Sequence, residues 1–257
     1  QERLGAAFEL HGQTMFTSAS IGIALPDDRE QSADDLLRNA DIAMYRAKSG
    51  GPGRHEVFVP GMHAVAINLL EIETDLRHAL DRSQFVLYYQ PIVSLPDQRV
   101  VGFEALLRWQ HPKRGMLLPH EFIGVAEETG LIVPIGWWAL REACRHGRAL
   151  LDHTPARTCP YIAVNLSSRQ LSHPNLVDRV RQILRDTGLP PALLSLEITE
   201  SSLVTNVTAA ADALMQLRKS GVRVCIDDFG TGYSSLSYLN TLPVDGLKID
   251  RSFVSML

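Results

Sequence analysis

Two adjacent carboxylates, Asp227 and Asp228, are the residues of this chain whose types and spacing most clearly suit chemistry. They follow a mostly apolar run at 222–226 and precede a segment of small residues at 229–236. Two carboxylates at the end of a buried strand repel each other and lose hydration, and a divalent cation compensates for both effects. Glycines in the following segment let the backbone approach a ligand. The pattern indicates a metal-dependent enzyme with an anionic substrate. In the simpler alternative, Asp227 caps the next helix and Asp228 is solvated.

Further polar side chains lie in or after predicted strands: Glu104, Asn165, Glu197, Lys248 and Asp250. The carboxyl ends of parallel strands meet at one side of a barrel or an open sheet, where ligands bind. Mg²⁺ and Mn²⁺ prefer oxygen ligands, and paired ions can clamp the attacking and leaving oxygens of a phosphoryl displacement. A lysine among carboxylates can hold the attacking water. The excess of carboxylates therefore predicts room for two ions. The simpler role for Asp250 is to cap the following helix.

Structural roles are open for several of these side chains. Asn165 could be a turn residue, and Glu197 could belong to a buried ion pair. Glu200 could be an ordinary glutamate in the first turn of a helix. Glu104 and Arg108 lie on the same face of a strand, so that a salt bridge between them is the simpler explanation. Their joint position at successive strand ends favours a single site.

The composition excludes several classes of protein. The net charge of -4 and the pI of about 6.1 give no general attraction for a nucleic acid polymer. Three separate cysteines argue against zinc or disulfide frameworks and fit a reducing compartment. The longest apolar stretch, near 131–140, is too short to span a bilayer, and no signal peptide is present. We therefore expect a cytoplasmic segment, excerpted from a longer protein that could be membrane-attached through other parts.

Hydrophobic periodicity predicts alternating strands and helices from about residue 84, with mainly parallel pairing. The predicted strands are 16–25, 57–59, 85–94, 100–109, 161–166, 194–198, 222–226 and 246–249. The predicted helices are 36–47 with Ser32 as its cap, 63–82, 120–129, 135–151, 175–187 and 207–220. Convergence of several strand ends on one site favours a barrel over an open sheet.

From about residue 84 onward, six segments carry distinctive motifs: 89–93, 104–109, 165–167, 196–201, 227–239 and 247–254. The second of them begins with Glu104-Ala105-Leu106. Through these segments and that signature the sequence resembles EAL domains, which are bacterial phosphodiesterases specific for cyclic di-GMP. The resemblance implies an α/β fold, a (β/α)8 TIM-like barrel that is truncated at its C-terminus here.

The resemblance also implies roles for individual residues. Two Mg²⁺ or Mn²⁺ ions would be bound by Glu104, Asn165, Glu197, Asp227, Asp228 and Asp250. The catalytic residues would be Lys248, which would position the attacking water, together with Glu104, Asp227 and Asp228. The nucleotide would contact Gln90, Leu106 and Arg108. Glu200 would anchor the loop that follows Asp228. Besides cyclic di-GMP, the expected partners are a second copy of the protein, which would form a homodimer through the EAL domain, and upstream sensory domains.

The N-terminal residues resemble the end of a GGDEF (diguanylate cyclase) domain through segments 20–24 and 40–48, without the signature itself. We expect domains at 1–60 (GGDEF), 61–83 (linking helix) and 84–257 (EAL).

The general-base glutamate and a substrate-contacting glutamine of the family would follow the strand of Lys248, and the chain ends first. We therefore expect hydrolysis of cyclic di-GMP to linear pGpG by the parent protein and an inactive, aggregation-prone fragment. The alternatives are a non-catalytic cyclic di-GMP receptor and another metal-dependent phosphohydrolase.

Overall fold

The computed structural model describes residues 8–10, 13–15, 17–26, 32–49, 53–154, 159–203, 207–230 and 242–254. The chain divides into two compact units, Gln1–Asp75 and Leu76–Leu257, and the boundary falls within one helix. No helix in these described ranges combines the length and the apolar character needed to cross a membrane.

The first unit contains a hairpin, a parallel strand pair and a helix. The hairpin consists of β1 (Phe8–Leu10) and β2 (Gln13–Met15). Strand β3 (Ile21–Ile23) pairs in parallel with β4 (His55–Val57), and α1 (Ala33–Ser49) lies between them in sequence. A Cβ on Gly22 would lie 1.9 Å from the carbonyl oxygen of Ala40, so α1 packs directly on the backbone of β3.

The predictions for this unit are confirmed in part. Ser32 caps α1, because its Oγ accepts a hydrogen bond from the Asp35 N–H at 3.1 Å. The strand predicted at 16–25 is regular only at 21–23 among the described residues, and Phe16 lies outside them. The strand predicted at 57–59 instead occupies 55–57, since those residues pair with β3. Residues 50–52, which follow α1, lie outside the described residues.

The helix α2 (Gly61–Ala79) leads into the second unit. This unit contains a seven-stranded sheet and several helices. The strands are β5 (Phe85–Val93), β6 (Val100–His111), β7 (Gly115–Leu117), β8 (Tyr161–Asn165), β9 (Leu194–Thr199), β10 (Arg223–Phe229) and β11 (Gly246–Ile249). The strand order is β11-β10-β9-β8-β6-β5, and β7 pairs with β6. Pairing is parallel from β6 through β8, β9 and β10 to β11, as the alternation predicts. Strand β5 is antiparallel to β6, because a short turn at 94–99 connects them.

The helices are α3 (Pro119–Thr129), α4 (Ile132–Leu151), α5 (Ser168–Leu171), α6 (Leu176–Thr187), α7 (Val207–Lys219) and α8 (Arg251–Val254). Short 3-10 helices occupy Pro191–Leu193 and Glu200–Leu203. Side chains from β8, β9 and β10 pack against α4, α6 and α7 in one continuous core. Burial of this face directs the alternate side chains of the same strands to the opposite face, where the polar residues lie.

Candidate active site

A lysine surrounded by carboxylates lies on the polar face of the sheet. Lys248 Nζ, on β11, donates hydrogen bonds to three acidic side chains from three other strands. The acceptors are Glu104 Oε2 at 2.9 Å, Glu197 Oε2 at 2.7 Å and Asp227 Oδ2 at 3.2 Å. The structure therefore brings together four residues that are as much as 144 positions apart in the sequence.

The alternation of side chains along each strand explains this convergence. On β9, Leu196 and Ile198 are completely buried in the core, which directs Glu197 between them to the other face. The same pattern on β6 buries Ala105 beside Glu104. The register then places Glu197 opposite Asn165 of β8, on the same polar face.

The three carboxylates differ in exposure, and the most buried has a strongly shifted pKa. The Glu197 side chain is 2% exposed, against 15% for Glu104 and 16% for Asp227. Burial raises the pKa of Glu197 to about 7, with the negative charges of Glu104 and Asp227 adding to the effect and Lys248 opposing it. Burial alone would lower the pKa of Lys248, but its hydrogen bonds to Glu197 and Glu104 raise it.

These side chains fit a hard divalent cation. Oxygen atoms of Glu104, Glu197 and Asp227 lie within 4.8 Å of one another. When all are ionised, three carboxylates exceed the single positive charge of Lys248, so the group attracts further cationic charge. Carboxylate oxygens are the ligands that Mg²⁺ and Mn²⁺ prefer.

Asn165 lies beside this group and has a partner within it. Its Nδ2 donates a hydrogen bond to Glu104 Oε1 at 3.0 Å. The Glu104 carboxylate therefore has one oxygen facing Asn165 and the other facing Lys248. Among the ion pairs of the described residues, Glu104 is paired with Lys248 and not with Arg108, which contradicts the simpler explanation of Glu104 and Arg108 as a salt bridge.

Asp228 lies close to the three-carboxylate group and Asp250 lies close to Asp228, but neither belongs to the group. Asp228 adopts a φ of 52°, and its N–H donates to Asp227 Oδ1 at 2.9 Å. Burial and the charges of Asp227 and Asp250 raise the pKa of Asp228. Asp250 accepts hydrogen bonds from the hydroxyl and N–H of Ser252, which lower its pKa and cap α8.

The three side chains predicted to contact a nucleotide lie on β5 and β6. Gln90 pairs with Glu104 in the β5–β6 register, and Leu106 and Arg108 follow on the same face of β6. The Arg108 guanidinium donates to the Leu107 carbonyl oxygen at 2.8 Å and lies 5.6 Å from the centre of the Tyr88 ring. These residues therefore extend the polar face away from β11.

Glu200 fixes the backbone at the start of the segment after β10. It is 5% exposed, and its Oε2 accepts a hydrogen bond from the Gly230 N–H at 3.1 Å. Gly230 has a φ of 101°, and a Cβ there would lie 2.7 Å from the Phe253 ring, so glycine is required. Residues 231–241 of the predicted loop lie outside the described residues.

Two family models match this chain. The EAL domain model matches residues 73–257, and the chain belongs to this family. The model of the diguanylate cyclase GGDEF domain matches residues 1–54. The predicted α/β fold of the TIM-like barrel type is thereby confirmed.

Known relatives include a protein named for both activities and a protein named for the phosphodiesterase alone. The bifunctional diguanylate cyclase/cyclic di-GMP phosphodiesterase MucR of Pseudomonas aeruginosa is 47% identical over 256 residues, which is 100% of this chain and 37% of MucR. The cyclic di-GMP phosphodiesterase NbdA of the same organism is 42% identical over 254 residues, which is 98% of this chain and 32% of NbdA. The chain thus spans about a third of the length of these relatives.

A solved structure, the PaMucR phosphodiesterase in complex with c-di-GMP, is 51% identical in sequence. It superposes with a TM-score of 0.69 over 72% of this chain and 74% of that one. The fold of this chain is therefore similar to that of a solved EAL domain.

One residue of interest was missed by the sequence analysis. Asp245, directly before β11, accepts hydrogen bonds from the side chain of Arg218 and from the backbone of Val224. An aspartate before a short strand is common in turns, so its type alone gives little signal.

Proposed function

We propose that the protein carrying this sequence hydrolyses one phosphodiester bond of cyclic di-GMP to give linear pGpG, with Mg²⁺ or Mn²⁺ as cofactor. The arrangement of Glu104, Glu197 and Asp227 around Lys248 carries this proposal. Such an arrangement provides oxygen ligands, excess negative charge and a proton donor on one face of a sheet. The similarity to MucR and NbdA supports cyclic di-GMP as the substrate.

The protein's own residues divide the work in this proposal. Two ions, when bound, would supply an acidified water and neutralise the phosphate. The ligands would be Glu104, Asn165, Glu197, Asp227, Asp228 and Asp250. Lys248 would donate a hydrogen bond to the attacking water and keep it in line with the leaving 3′-oxygen.

Substrate binding and loop placement would use other side chains. Gln90, Leu106 and Arg108 would contact the nucleotide, with the planar guanidinium of Arg108 suited to a phosphate. Glu200 would hold Gly230 and thereby the start of the loop next to Asp228. The proposal also includes a cytoplasmic location, a homodimer formed through the EAL domain and sensory domains elsewhere in the protein. It places the domain boundaries at 1–60, 61–83 and 84–257.

The position of Lys248 favours a second candidate function. Its ammonium group lies among the carboxylates and neutralises part of their charge without a metal ion. A site in this state could bind cyclic di-GMP through Gln90 and Arg108 without turnover. The protein would then be a receptor.

One experiment distinguishes the two functions. Hydrolysis of cyclic di-GMP with Mn²⁺ and equilibrium binding of the same nucleotide are measured on the full-length parent protein (the wild type here and below) and on its Glu104→Ala and Asp186→Asn variants. Asp186 is a control, because it forms an exposed ion pair with Arg141 between α4 and α6. We expect pGpG from the wild type and Asp186→Asn and none from Glu104→Ala.

The opposite results are equally clear. Binding by the wild type without any pGpG would establish the receptor function. Undiminished turnover by Glu104→Ala would refute the ligand role of that residue.

A further inference from the structure

Asp245 connects the backbone of β11 to that of β10 at the point where β11 begins. Its N–H donates to the Val224 carbonyl oxygen at 2.7 Å. Its carboxylate Oδ2 accepts a hydrogen bond from the Val224 N–H at 2.9 Å. Both polar backbone groups of Val224 are therefore satisfied by this one residue, which sets the alignment of the two strands.

A salt bridge holds that carboxylate in place. Arg218, in the last turn of α7, donates from Nε to both carboxylate oxygens of Asp245, at 3.0 and 3.1 Å, and from Nη2 to Oδ1 at 2.6 Å. A planar guanidinium that contacts both oxygens fixes direction as well as distance. Burial alone would raise the pKa of Asp245, but the hydrogen bonds from Arg218 and Val224 lower it, so the carboxylate is ionised.

The strand that follows is short. It contains four residues, and within the described residues it pairs with β10. The first pairing after Asp245 joins Gly246 to Cys225, where a Cβ on Gly246 would lie 3.3 Å from the thiol.

Lys248 lies three residues after Asp245 on this strand. A shift of one residue along a strand reverses the face of every side chain, which would turn Lys248 away from the carboxylates. Even a displacement of about 1 Å of a catalytic group can cost two orders of magnitude in rate. The register of β11 therefore decides whether Lys248 meets Glu104, Glu197 and Asp227.

We propose that Asp245 and Arg218 are positioning residues that act through Lys248 by fixing the register of β11. The inference rests on the proposed function for its catalytic consequence, since Lys248 would hold the attacking water. Neither Asp245 nor Arg218 contacts the three carboxylates in the described hydrogen bonds, so their effect is indirect.

The kinetic test is a double-mutant cycle. Turnover of cyclic di-GMP with Mn²⁺ is measured for the wild type, Asp245→Asn, Lys248→Met and the double variant, with Asp186→Asn as a control that loses an ion pair elsewhere. We expect Asp245→Asn to lower kcat about tenfold or more, with KM unchanged because Gln90 and Arg108 lie on other strands. In the Lys248→Met background, Asp245→Asn should have a smaller effect, because only the placement of Asp250 directly after β11 is then left to disturb. Equal reductions in both backgrounds would overturn the proposal.

A second readout does not depend on activity. Hydrogen exchange is followed by mass spectrometry on the metal-free wild type and the same variants. We expect faster exchange in Asp245→Asn for peptides covering 242–250, unchanged exchange in β8 and β9, and no change in Asp186→Asn. Unchanged exchange at 242–250 in Asp245→Asn would refute the positioning role. This result decides the question even if the turnover of Lys248→Met is too slow to detect and the kinetic cycle cannot be completed.

The two proposals fail in different ways. A wild type that makes no pGpG refutes the proposed function, and hydrogen exchange still decides whether Asp245 fixes β11. A wild type that makes pGpG, combined with additive effects in the cycle, refutes only the role of Asp245.

Discussion

At the scale of single residues, the site depends on a balance of charge between one lysine and three carboxylates. Glu197 is the critical member, because it is 2% exposed and its pKa is raised to about 7. A carboxylate with that pKa carries a proton for part of the time at neutral pH. A bound divalent cation would displace this proton, so cation binding and protonation compete at Glu197.

The raised pKa of Glu197 predicts how stability depends on pH. Because the folded protein holds this proton more tightly than the unfolded chain does, the resulting stabilisation is complete below about pH 4.5 and is lost as the pH rises through about 7. Glu197→Gln lacks this dependence. Its free energy of unfolding, relative to the wild type, should therefore increase between pH 4.5 and 7 by up to about 3 kcal/mol.

Urea unfolding of both proteins in chelator at several pH values between 4.5 and 8 measures this difference. Asp186→Asn serves as the control, since its exposed ion pair should give no such rise near neutral pH. A difference between Glu197→Gln and the wild type that does not change with pH would contradict the raised pKa.

Residue types and strand ends predicted that Glu104, Asn165, Glu197, Asp227 and Lys248 would converge. The sequence could not show that Lys248 would contact three carboxylates at once, because that depends on the stagger between four strands. Asp245 was missed for a related reason. Its partners Arg218 and Val224 are 27 and 21 positions away, and only the fold reveals them.

At the scale of elements, helix α4 and the short helix α5 are closely packed against each other at Gly136. Gly136 lies on α4, and a Cβ there would be 2.2 Å from Gln170 Oε1. Gln170 is 1% exposed, and its side chain caps α5 by accepting hydrogen bonds from Ser167. The glycine thus permits a buried polar contact between two elements that follow β7 and β8.

Replacement of this glycine should destabilise the protein, although alanine is the better helix former. We expect Gly136→Ala to lower the free energy of unfolding by about 1–3 kcal/mol, because overpacking displaces Gln170. The matched control is Gly124→Ala on α3, where no atom lies within 4 Å of the added Cβ. That variant should gain about 0.5–1 kcal/mol. Chemical denaturation compares both variants, and equal effects of the two would contradict the packing described.

Most elements of the second unit were predictable, because their periodicity is strong and their ends carry clear signals. Helix α6, for example, ends at Gly188, which adopts the left-handed conformation expected of a helix stop. The hairpin β1–β2 and the three-residue strand β7 were missed, since three residues do not establish a period. The antiparallel direction of β5 follows from the turn at 94–99 rather than from any pattern within the strand.

At the scale of the whole molecule, cation binding should stabilise the folded state. Three of the proposed ligands, Glu104, Glu197 and Asp227, come from β6, β9 and β10, and they converge only in the folded protein. Linkage then predicts a gain of about 2.7 kcal/mol in the free energy of unfolding when free Mn²⁺ is at 100 times its dissociation constant.

Thermal unfolding with increasing Mn²⁺ tests this linkage. The midpoint temperature should rise for the wild type and Asp186→Asn and should rise much less for Glu104→Gln, which lacks one charged ligand. An equal rise in Glu104→Gln would show that the ion binds elsewhere.

The fold class was predictable because several long motifs identify the EAL family, and residues 73–257 match its model. The division of the chain into compact units falls between Asp75 and Leu76, within α2. The boundaries 1–60, 61–83 and 84–257 stay a prediction. A continuous helix has no break in its periodicity, so the boundary does not show in the sequence.

Formation of pGpG by the metal-free protein before and after Mn²⁺ is added back tests the central claim most directly. The protein is first treated with chelator, and cyclic di-GMP is then supplied at a fixed concentration. The account predicts no product in chelator, product after Mn²⁺ is restored, and none from Glu104→Ala under either condition. Formation of pGpG at the same rate with and without metal would contradict the account, because Glu104, Glu197 and Asp227 would then have no cation to hold.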